Sequence, residues 1–124
     1  MNKQNIAIIG LGRIGSVFFG AMQQKKQRIN LVCVAERMDT AGKAHAAAAG
    51  TRIATLDEIV AMGNAIDIIF DLTGIADVRR ELREKLLASA NEHTVIASET
   101  IARLIWSLVG DADLPEIEGR KIGY

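Results

Sequence analysis

Gly10, Gly12 and Gly15 punctuate the segment Asn5-Ile-Ala-Ile-Ile-Gly-Leu-Gly-Arg-Ile-Gly-Ser16 with a G-x-G-x-x-G spacing. An apolar, β-branched run (Ile6, Ala7, Ile8, Ile9) enters the first glycine. A helical pattern leaves the third, with Ile14, Val17, Phe18, Ala21 and Met22 expected on one inward face. Few folds accommodate that arrangement. The first glycine makes a tight strand-to-helix turn, the second lets the backbone approach a pyrophosphate, and the third brings helix and strand close together. The helix N-terminus then offers unpaired N–H groups and a partial positive charge to phosphates. Gly10, Gly12, Arg13, Ile14 and Gly15 are therefore the candidate contacts of a dinucleotide pyrophosphate.

The rest of the chain continues the alternation. Strand two is expected over Ile29 to Ala35, a nearly continuous apolar run of the kind buried on both faces. An alanine-rich helix follows, from Thr40 to Ala49, stopped by Gly50, and then a brief third strand around Thr51 to Ala54. Thr55-Leu-Asp-Glu58 is a capping-box pattern that opens helix three, and Gly63 ends it. Strand four runs from Ile66 to Leu72. Helix four places Val78, Leu82 and Leu86 inward and Arg79, Arg80, Arg83 and Glu84 in water, with Glu81 and Lys85 paired at i,i+4. Strand five is Thr94 to Ala97, and helix five is Glu99 to Val109. Right-handed crossovers wind such units into a doubly wound parallel sheet, a Rossmann fold of about five strands in the order 3-2-1-4-5.

At 124 residues this is one domain, residues 1–109, with 110–124 expected as a tail or linker. Fifteen basic residues balance fifteen acidic ones, so no net field favours nucleic acid or an anionic membrane. A single cysteine excludes an internal disulfide and a multi-cysteine metal site. No stretch approaches the roughly 20 apolar residues that span a bilayer, and the N-terminus passes directly into strand one. The expected location is the cytoplasm.

Ligands of doubly wound sheets sit beyond the carboxyl ends of the strands, which sorts the remaining candidates. Glu36 ends strand two, 21 residues past Gly15, where a carboxylate binds the adenosine ribose hydroxyls and repels a 2′-phosphate. NAD is thus the expected cofactor. Arg37 keeps NADP possible, since a guanidinium accepts such a phosphate. Thr73 and Gly74 follow strand four, on the side of the pyrophosphate and nicotinamide ribose. Asp71 ends that strand and needs a partner or a ligand. Ser16 is either a phosphate donor or an ordinary first-turn residue. Ser98 or Thr100 reads as a helix N-cap, with Glu99 complementing the helix dipole. His45, His93 and Cys33 are not placed for catalysis, and no catalytic residue is assigned.

Gly-Leu-Gly-Arg-Ile-Gly-Ser16, Val-Cys-Val-Ala-Glu36 and Ile-Asp-Ile-Ile-Phe-Asp-Leu-Thr-Gly74 together carry a family resemblance. Over Ile6 to Val109 the chain resembles the N-terminal NAD(P)-binding domains of homoserine dehydrogenase, dihydrodipicolinate reductase, aspartate dehydrogenase and the glucose-fructose oxidoreductase group. The resemblance implies binding of NAD(H) or NADP(H). It also implies a lysine just after strand five, where this chain reads Ile-Ala-Ser-Glu-Thr100, and a second domain supplying substrate groups. The expectation is a sensing or regulatory dinucleotide-binding domain without autonomous catalysis, similar also to NAD-binding modules of bacterial signalling proteins. The alternative is the cofactor domain of an oxidoreductase. Helix five is apolar on most sides: Ile101, Leu104, Ile105, Leu108 and Val109 form the expected core stripe, and Ala102 and Trp106 fall outside it. Either a homodimer or an adjoining domain covers Trp106, or the helix makes a larger core contact with the C-terminal tail folded back over it.

Overall fold

The computed structural model describes residues 3–109. Its elements are β1 (Gln4–Ile9), α1 (Arg13–Gln24), β2 (Ile29–Ala35), α2 (Ala41–Ala48), α3 (Leu56–Ala61), β3 (Ile68–Asp71), α4 (Ala76–Ala88), β4 (Val95–Ala97) and α5 (Glu99–Val109). The expected tail, 110–124, lies outside the described residues.

All strand pairs are parallel, in the order β2-β1-β3-β4. The order is the expected one, with a difference at the outer edge. The expected third strand contributes a single bridge, Ile53 to Val34, held by Val34 N–H to Arg52 O at 2.9 Å and Ala54 N–H to Val34 O at 2.8 Å. Between Gly50 and the cap of α3 at Thr55 there is too little chain to extend the ladder further.

The strand alternation of β1 builds two cores. Ile6 and Ile8 face Phe18, Phe19 and Met22 of α1, together with Ala46 and Ala102. Ala7 and Ile9 face Leu56 and Ile59 of α3 and Val78, Leu82 and Leu86 of α4. Each fully buried side chain of this size contributes roughly 1.5–3 kcal/mol. The Phe18 and Phe70 rings meet at 4.9 Å, tilted by 54°, a geometry that adds to area burial. Cys33 lies in the second core, where burial pushes its thiol up to about 11. No helix among the described residues is long and apolar enough to cross a membrane.

Three helical faces depart from the pattern reading. Val17 of α1 is exposed rather than inward. Arg79 of α4, expected in water, is buried, because its stem passes along the sheet toward Asp71. On α5 the stripe is broken: Ala102 is fully buried and Ile105 packs against the core as expected, whereas Ile101, Leu104, Leu108 and Val109 are exposed. A methyl-sized side chain lets α5 lie close to β3 and β4, and four of the larger residues are turned outward. Glu81 and Lys85 face separate partners, Arg37 and Asp57, in place of the expected pair with each other.

Candidate functional site

The glycine turn connects β1 to α1 beneath the carboxyl ends of the sheet. Gly10 has φ +96° and donates its N–H to Ala35 O at 2.8 Å. A Cβ there would come within 2.9 Å of the Leu72 carbonyl carbon and the Thr73 nitrogen, so only glycine lets the exit of β3 pass so closely. A Cβ on Gly15 would overlap the Gly10 carbonyl oxygen. Gly12 differs from both: a Cβ there meets no atom within 4 Å. Two glycines thus serve internal packing, and the middle one faces open space.

Gly12 is also the N-cap of α1, with no side-chain cap and no acidic residue in the first turn. The positive end of the helix dipole is left for an external anion. Ile14 is buried in the core, so its backbone alone is available there. Arg13 is exposed at the same turn.

The Leu11 peptide between the glycines is held on both sides. Its N–H donates to Glu36 Oε1 at 2.7 Å. Its carbonyl accepts Ser16 Oγ at 2.9 Å and Thr40 Oγ1 at 3.1 Å. Ser16 is therefore turned toward the loop carbonyl, and of its two expected roles the structure favours the internal one. Glu36 Oε2 accepts the Met38 N–H at 3.1 Å. Both carboxylate oxygens are oriented by backbone donors, and each retains lone pairs for a ligand hydroxyl.

A cleft of about 630 Å³ opens beside this turn, lined among others by Gly10, Glu36, Arg37, Ile53, Thr73 and Glu81. Its size is within the range of small-molecule and cofactor sites. Gly10, Glu36, Arg37 and Thr73 are brought together as expected. Gly12, Arg13, Ile14, Gly15 and Gly74 lie outside the cleft lining, at or beyond its edge. The rim carries two ion pairs that sequence reading did not anticipate: Arg37 Nη2 to Glu81 Oε2 at 3.1 Å and Lys85 Nζ to Asp57 Oδ1 at 2.6 Å. Its hydrogen bond to Asp57 holds the Lys85 ammonium above its usual range. The only available signal was the one-turn spacing of Glu81 and Lys85.

Asp71, fully buried at the end of β3, finds its partners within the fold. Oδ1 accepts Thr73 N–H at 3.1 Å and Thr73 Oγ1 at 2.7 Å, and Oδ2 lies 3.7 Å from Arg79 Nε. Thr73 Oγ1 in turn accepts the Ile75 N–H at 3.1 Å, so Asp71 shapes the loop carrying Thr73 and Gly74 (φ +67°). After β4, the Ser98 carbonyl accepts the amides of Ile101 and Ala102, and Glu99 is buried with Arg103 3.4 Å away. His93 lies at the opposite end of the sheet, 2.6 Å from Asp67. No group of three metal-ligating side chains occurs among the described residues.

The fold is that of an NAD-binding Rossmann domain. A family model described as the oxidoreductase family, NAD-binding Rossmann fold, matches residues 4–96. Among solved structures, the chain is similar to a protein from Sinorhizobium meliloti 1021 assigned as a myo-inositol dehydrogenase, at 29% identity and TM-score 0.59 over 76% of this chain and 27% of that one. It is similar to the WlbA dehydrogenase of Bordetella pertussis, solved with NADH and UDP-GlcNAcA, at 25% identity and TM-score 0.57 over 76% and 28% of the two chains. Staphylococcus aureus homoserine dehydrogenase, at 20% identity and TM-score 0.60 over 88% and 30%, shares the fold. The chain thus spans less than a third of the length of these enzymes. None of the curated proteins compared with it matches.

Proposed function

Since the chain belongs to the oxidoreductase family with an NAD-binding Rossmann fold, we propose that it binds NAD(H) through the glycine turn and the cleft beside it. The open space at Gly12, above an uncapped helix N-terminus, carries this reading. In it the pyrophosphate lies on the amides of Gly12, Arg13, Ile14 and Gly15, and Arg13 adds a cation at the outer edge. Glu36 receives the adenosine ribose hydroxyls, and Arg37 borders the adenine side. Thr73 and Gly74 border the nicotinamide ribose, their loop held by Asp71. Bound NAD(H) would supply hydride-transfer capacity; this chain's residues bind and orient it.

We propose further that the chain senses or reports the dinucleotide without catalysing a reaction by itself. Ser98, Glu99 and Thr100 stand where the family resemblance implies a lysine, and buried Glu99 pairs with Arg103. The alternative, a cofactor domain serving substrate groups outside this chain, is favoured by its span of less than a third of the related oxidoreductases. The exposed Ile101, Leu104 and Leu108 of α5 support contact with a second copy or an adjoining domain, and the solution mass from light scattering tests the former.

Calorimetric titration with NAD+, NADH, NADP+ and NADPH tests the central reading. Selective binding that Gly12→Val abolishes is the expected result, since the new side chain would occupy the phosphate position. Tighter binding of the reduced form would favour sensing. No binding of any of the four at millimolar concentration would overturn the proposal.

A further inference from the structure

The cleft lining contains the cations Arg37, Lys43 and Lys85 and the carboxylates Glu36, Asp57, Glu58 and Glu81. Each of these cations has a carboxylate neighbour: Glu81 at 3.1 Å from Arg37, Asp57 at 2.6 Å from Lys85, and Asp39 at 3.9 Å from Lys43. Glu81 and Lys85 sit one turn apart on α4 and reach two different elements, the loop after β2 and the start of α3. The helix therefore ties both beside the cleft.

Arg37 is the residue on which cofactor choice turns. It directly follows the ribose-binding Glu36, and its planar guanidinium suits bidentate capture of a phosphate. A 2′-phosphate brings a charge of about −2 to a lining in which four named carboxylates outnumber three named cations. Glu81 occupies the guanidinium. We infer that Glu81 is a specificity-determining residue, which holds Arg37 away from the ribose and so disfavours dinucleotides bearing a 2′-phosphate. The inference rests on the dinucleotide reading of the cleft and adds to it a second layer of discrimination beyond Glu36.

The test is the ratio of the NADPH to the NADH dissociation constant, measured by calorimetry on the full chain at fixed ionic strength. Glu81→Gln keeps the side-chain length and removes the charge. It should lower the ratio about fivefold, the upper range for an exposed ion pair. The double variant Glu81→Gln/Arg37→Ala should return the ratio to that of wild type, because the gain acts through the released guanidinium. Arg37→Ala alone should leave the ratio unchanged. A ratio unaffected by Glu81→Gln would overturn the inference, as would a selective loss of NADPH affinity in Arg37→Ala, which would mean that Arg37 is already engaged with the phosphate. If wild type binds neither NADH nor NADPH, the dinucleotide reading itself fails and takes the inference with it, an outcome distinct from an unchanged ratio.

Discussion

Gly15 rests directly on the carbonyl of Gly10, so that the first turn of α1 leaves no room for a side chain between helix and strand. Gly12, between them in sequence, has no such neighbour. Gly15→Ala should therefore destabilise the fold by about 3 kcal/mol, the upper range for overpacking against groups that cannot move aside. Gly12→Ala, whose backbone is extended (φ −78°, ψ −153°), should stay close to wild type. Urea denaturation of the two variants checks the contrast; equal losses would mean that both glycines serve packing alone.

The pair formed by Asp71 and Arg79 is buried at both ends, with 0% and 8% of the side chains exposed. Removing one partner strands the other charge away from water. Arg79→Met should cost about 3 kcal/mol in urea denaturation, as for other broken buried pairs. A loss below about 0.5 kcal/mol, the range of ordinary surface changes, would show that the pair is not a structural element.

Asp67 accepts the Asn5 amide at 2.7 Å and pairs with His93 at 2.6 Å. The backbone hydrogen bond first, and the His93 contact second, hold its carboxyl below the ordinary 3.8. A depressed carboxyl stabilises the fold above the unfolded value, and that contribution disappears as pH falls through the folded one. The difference in melting temperature between wild type and Asp67→Asn should shrink as pH falls below about 4. A difference independent of pH down to 2 would contradict the assignment.

The Cys33 thiol, raised to about 11, is almost entirely protonated at pH 8, and the thiolate is the reactive form. Iodoacetamide at pH 8 should leave folded protein unmodified for hours and label it rapidly in urea. Mass spectrometry reads the outcome, and fast labelling of the folded chain would place Cys33 outside the core.

Much of the fold was legible because local chemistry and tertiary role coincide. The glycine turn, the Thr55–Glu58 capping box and the apolar strands all answer to rules acting over a few residues. Helix five departs from its sequence pattern for a definite reason. When residues on every side are apolar, periodicity fixes no inward direction, and the deciding quantity is how closely the helix approaches the sheet, which favours Ala102 over Leu104. The pattern of α4 points Arg79 to water, because its buried partner lies eight residues earlier, on another element. The cleft residues Glu36, Arg37 and Thr73 were found from their positions at strand ends. The rim pairs to Glu81 and Asp57 depend on packing between elements, which no local pattern encodes.

The Leu11 peptide, tied by Glu36 on its amide side and by Ser16 and Thr40 on its carbonyl side, has a thermodynamic consequence. Three separate elements hold the glycine turn in one conformation before any ligand arrives. Association therefore pays little conformational entropy to order the loop, and more of each new contact survives as affinity. The turn is a preorganised cradle, and the cost of its rigidity was met when the chain folded.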